Sequence, residues 1–84
     1  MTPAEAQRLQ DEARAAGRWI MWFVAMTDGH ARGWAVMAGP PGGRWLPGEL
    51  VADTLAEVRA MLPPGLTRSE RTSVLSPEVV ETWD

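Results

Sequence analysis

The side chains able to do chemistry are few and scattered. His30 is the single histidine, and it lies in 27–33, TDGHARG, between Asp28 and Arg32. A general base of this kind needs a nucleophile or a metal within reach. The chain has no cysteine and no second histidine to complete a zinc site. Ser69, Ser73 and Ser76 can be drawn into a triad with His30 and an aspartate, but none lies in a nucleophile-elbow pattern. The run GPPGGRW, 39–45, lacks the lysine and the Ser/Thr that a phosphate loop brings to nucleotide and magnesium. These residues therefore point to no enzyme, no cofactor and no metal, with His30 a solvated turn residue and the Gly/Pro run a turn.

What remains is surface chemistry. Arg44 and Trp45 are of the types over-represented among interface hot spots, although an arginine stem can equally pack over the neighbouring indole. Arg68-Ser69-Glu70-Arg71 is a mixed-charge stretch, better suited to guarding a sheet edge than to holding phosphate. Glu78, Glu81 and Asp84 form an acidic tip that can oppose a basic surface on a partner or simply be solvated.

The elements that must position these residues follow from spacing. Thr2-Pro3-Ala4-Glu5 has the form of a helix start, with Thr2 as cap and Glu5 placed to reach back to its amide. The helix should run to Ala16 and stop at Gly17, with Ala6, Leu9, Ala13 and Ala16 as its apolar face. Thr54-Leu55-Ala56-Glu57 repeats the pattern, and Pro63-Pro64-Gly65 must end the second helix. Between them, 18–26 and 34–38 read as a hairpin around the loop 27–33. A short strand at 50–52 and edge strands at 66–72 and 78–83 complete the order α-β-β-(β)-α-β-β. The expectation is one α+β domain over 1–84: a small antiparallel sheet of three to five strands with two helices on one face.

The stretch RWIMWFVAM, 18–26, has no polar side chain between Arg18 and Thr27, so both faces of its strand are apolar. If Met26 pairs with Trp34, one face carries Ile20, Trp22, Val24 and Met26 beside Trp34 and Val36. The other carries Trp19, Met21, Phe23 and Ala25 beside Ala35 and Met37. The first set, rigid and branched, suits a core beneath the helices; the second, methionine-rich and adaptable, suits binding. Leaving Trp19, Met21, Phe23 and Met37 in water forgoes about 1.5–3 kcal/mol each. Three covers are open: the loop 39–48 with Trp45 and the chain ends, a second copy of the chain, or another protein. The candidate contact residues are Trp19, Met21, Phe23, Met37, Arg44, Trp45, Glu78, Glu81 and Asp84.

Composition narrows the classes. The 84 residues are 45 % hydrophobic, too apolar for disorder. Eleven acids against eight arginines give a net charge of −3, which argues against direct nucleic-acid binding. The longest apolar run, 19–26, is far below the roughly 20 residues of a membrane-spanning helix. No signal-peptide pattern follows Met1, and with the absence of cysteine this reads as a cytosolic protein.

The run LVADTLAEVRAMLPPGLTRSER at 50–71, the ending VVETWD and the start EARAAGRWIMW resemble a family of small uncharacterised bacterial and prophage proteins. Small cysteine-free prophage proteins of this size include many anti-CRISPR proteins. That resemblance implies a non-enzymatic phage or prophage interaction module, an inhibitor that binds a type I CRISPR surveillance complex and blocks its DNA path. A small cytosolic homodimeric structural or accessory protein is the alternative.

Overall fold

The computed structural model describes residues 1–40 and 42–73. Its elements are α1 (Pro3–Ala15), β1 (Trp19–Thr27), β2 (His30–Ala38), β3 (Arg44–Trp45), β4 (Leu50–Ala52), α2 (Leu55–Met61), a 3₁₀ turn (Arg68–Glu70) and β5 (Arg71–Ser73). The fold is α+β, as expected from the order of elements.

Both helices begin as their sequences dictate. Thr2 Oγ1 accepts the Glu5 amide, and Thr54 Oγ1 accepts the Glu57 amide, each at 3.2 Å. The Glu5 carboxylate takes the Thr2 hydroxyl rather than the Thr2 amide. α1 ends one residue early, at Ala15, in a paired closure: Arg18 N donates to Ala13 O and Gly17 N to Arg14 O, with Gly17 at φ 72°. Ala16 is consequently exposed at the cap, and Gln10 takes a buried place on the inner face beside Ala6 and Ala13.

The sheet is mixed, with strand order β3-β2-β1-β5 and β4 also paired to β2. β1 and β2 are antiparallel over nine pairs, from Trp19 with Ala38 to Thr27 with His30. β3 and β4 share the far edge of β2, while β5 runs parallel to β1, pairing Trp22 with Arg71 and Val24 with Ser73. The expected edge strand at 66–72 is thus shorter, preceded by the 3₁₀ turn, and parallel rather than antiparallel. The strand expected at 78–83 lies outside the described residues.

The expected loop 27–33 is a two-residue turn, Asp28-Gly29, with both residues at positive φ, 52° and 80°. That is the hairpin connection whose twist matches the strands, and Asp-Gly is a sequence that supplies it. Met26 therefore pairs with Ala31, three residues from the expected Trp34. An odd shift turns every β2 side chain to the opposite face.

The helix-facing core accordingly holds Ile20, Trp22 and Val24 with Ala31 and Ala35, closed by Ala6 and Ala13 of α1 and by Leu55, Val58 and Leu62. Met37 packs against this cluster rather than lying on the outer face. The alanines let the helices approach closely. Gly33 does the same for α2, since a Cβ there would stand 2.9 Å from Val58 Cγ1.

A buried polar chain ties the last described strand to this core. Trp22 Nε1 donates to Gln10 Oε1 at 2.7 Å, and Gln10 Nε2 donates to Glu70 Oε2. Glu70 also accepts from Arg14 through Nη2 at 2.7 Å and Nε at 3.0 Å, and from the Thr67 amide at 2.8 Å. Satisfying each group makes so buried a carboxylate tolerable.

Candidate functional site: the outer sheet face

Among the described residues both helices pack on one side of the sheet, and the other side carries no helix. From β1 it carries Trp19, Met21 and Phe23; from β2, Arg32, Trp34 and Val36. Trp45 of β3 lies opposite Val36, and Val51 of β4 opposite Arg32. Phe23 is the centre of an aromatic group. Its ring stacks on Trp34 at a centroid separation of 6.2 Å and 16° between planes, and meets Trp45 at 5.9 Å and 43°. Such offset and tilted arrangements are the favoured ones, worth about 0.5–1.5 kcal/mol per pair beyond burial.

The group remains open to solvent at its rim. Trp45 is 65 % exposed, Val51 44 % and Trp19 39 %, while Met21, Phe23, Trp34 and Val36 are half-buried. The charged side chains among these strands are few. Arg32 Nη1 bonds Glu49 Oε1 at 2.6 Å, an exposed ion pair of small energetic worth, and His30 is exposed beside the turn. The face is thus apolar at its centre and nearly neutral.

Of the residues singled out in the sequence, Trp19, Met21, Phe23 and Trp45 are brought together here. Met37 is not; it belongs to the helix side. Arg44 is exposed on β3 but shares the helix side with its ladder partner Met37. Glu78, Glu81 and Asp84 lie outside the described residues. Trp34, Val36 and Val51 belong to the face without having been singled out, and the Asp-Gly turn is the signal that identifies the first two. From the expected loop 39–48, Arg44–Trp45 joins the sheet as β3 and lays Trp45 against Phe23.

Of the serines considered for chemistry, Ser76 lies outside the described residues. Among the described residues no group of three or more His, Asp or Glu is arranged to hold a metal ion. The Ser69 hydroxyl shares a hydrogen bond with Thr67 in the 3₁₀ turn at 3.2 Å. No helix among the described residues is long and apolar enough to cross a membrane. No family model matches the chain, and neither a curated protein nor a solved structure shows significant similarity to it.

Proposed function

We propose that this chain is a non-enzymatic interaction module that seats another protein on the outer face of its sheet. The observation that carries the reading is the Phe23, Trp34 and Trp45 group, continuous with Trp19, Met21, Val36 and Val51 on one nearly uncharged surface. Exposed apolar patches of this kind are where proteins meet, and tryptophans dominate the energetics of such contacts. The partner suggested by the sequence resemblance is a subunit of a type I CRISPR surveillance complex, with the chain occluding target DNA. That choice of partner rests on the resemblance alone, whereas the choice of surface rests on the geometry.

The test separates the two. Light scattering from micromolar to high micromolar concentration reads self-association, and titration against a purified type I complex reads the partner. Trp19→Ala and Trp45→Ala, both at solvent-exposed positions, should leave the fold intact and weaken binding by at least about tenfold each, the usual size for a hot-spot tryptophan. Variants that bind as well as the parent overturn the surface. A stable dimer abolished by the same substitutions assigns the face to a second copy instead.

A further inference from the structure

On the helix side of the sheet, the end of α2, the loop 63–66 and β5 border a cavity of about 230 Å³, open to solvent and lined by Arg59, Leu62, Pro63, Gly65, Leu66 and Arg71. Arg71 pairs with Trp22 in the parallel ladder, which sends its side chain to this side of the sheet. Its Nε is buried and has no hydrogen-bond partner among the described residues. A buried donor on a charged group is costly to leave unanswered, and in native proteins such groups are met by a water or an ion.

The surroundings favour an anion. Arg59 and Arg71 contribute guanidinium groups to the wall, and Arg14 reaches the same corner, its Nη2 donating to Gly65 O at 3.2 Å. No carboxylate lines the cavity among the described residues. The neighbouring Glu70 is already occupied by Gln10, Arg14 and Thr67. Leu62, Pro63 and Leu66 supply apolar walls, which strengthen a charge-assisted hydrogen bond by lowering the local dielectric. The cavity is smaller than the roughly 300–1,000 Å³ of sites for drug-sized ligands, so it suits a single anionic group.

We propose that Arg71, with Arg59, forms an oxyanion pocket that takes a carboxylate or phosphate group. That chemistry has two sources: a free anion, or the carboxylates Glu78, Glu81 and Asp84 that follow β5 in the sequence. The pocket lies across the sheet from the aromatic face, so it stands or falls separately from the protein-interaction reading.

The experiment follows the arginine Nε–H resonances of ¹⁵N-labelled protein during titration with inorganic phosphate, against chloride at matched ionic strength. It uses the intact chain and a Glu78→Gln/Glu81→Gln/Asp84→Asn variant. A saturable shift of the Arg71 resonance in both chains establishes the pocket with a free anion as its ligand. A shift only in the neutralised chain establishes it with the chain's own carboxylates as occupants. In the responding chain, Arg71→Lys, which keeps the charge but loses the planar fork, should weaken phosphate by about tenfold. An Arg71 resonance unmoved by phosphate in both chains, or moved equally by chloride, overturns the proposal.

Discussion

Glu70→Gln should destabilise the protein by about 3 kcal/mol at neutral pH, and the loss should vanish in acid. The carboxyl is 3 % exposed, and its pKa is lowered from 4.5 to about 2, chiefly by the hydrogen bond from Arg14, with the Thr67 amide adding to it against the opposing effect of burial. At 1.36 kcal/mol per unit, a drop of about 2.5 units corresponds to about 3 kcal/mol favouring the ionised folded state. A depressed folded-state pKa means that this stability is complete above about pH 4.5 and is lost as pH falls toward about 2. The amide keeps the shape but presents an NH₂ among donors from Gln10, Arg14 and Thr67. The assay is urea unfolding followed by tryptophan fluorescence from pH 7 to pH 2, parent against variant. A domain of this size has a total stability of roughly 4–13 kcal/mol, so the loss is readily measured. A difference below about 1 kcal/mol at pH 7, or one that does not shrink between about pH 4.5 and 2, refutes the claim that Glu70 is held as a carboxylate by this network.

Other consequences follow from the register and the packing. Gly33→Ala places a methyl 2.9 Å from Val58 Cγ1 and should cost about 1–3 kcal/mol; adding Val58→Ala should recover part of it, and additive losses would show that the contact is not the cause. Met37→Asp should destabilise by more than about 2 kcal/mol, since Met37 packs on the core, whereas Trp45→Asp should cost no more than about 1.5 kcal/mol, and the reverse order would contradict the pairing of Met26 with Ala31. A double-mutant cycle of Phe23→Ala and Trp45→Ala should give a coupling of about 0.5–1.5 kcal/mol in denaturation, and a coupling near zero would mean that the two rings do not support each other in solution.

Much of the architecture was legible because the local signals were strong. Thr2 with Pro3, Thr54 with Glu57, Gly17 and the Pro63-Pro64 stop each specify a helix end through backbone chemistry that needs no tertiary context. The apolar character of both faces of β1 was equally plain. The face of β2 was misassigned because 27–33 contains three candidate turn residues, and only a two-residue Asp-Gly turn extends both strands to nine residues. The parallel pairing of β5 was not legible, because three residues carry no directional signal and the pairing depends on Glu70 anchoring the preceding turn to α1. Gln10 was missed for a similar reason: a polar residue on a helix reads as solvated until an indole N–H is placed opposite it.

The doubly apolar strand has a different physical solution on each face. On the helix side, Ile20, Trp22 and Val24 fill the space left by alanines at 6, 13, 31 and 35, and the indole N–H, the one polar atom among them, is answered by Gln10. On the outer side the large side chains shelter one another: Phe23 is half-buried because Trp34 and Trp45 flank it. This mutual shelter lowers the cost of leaving these side chains partly in water. It also divides the energetics. Phe23 contributes chiefly to folding, because most of its gain is realised within the chain, whereas Trp19 and Trp45 keep much of their surface in water. Full burial of such a side chain is worth about 1.5–3 kcal/mol, and the unrealised part of that gain is available to whatever covers the rim.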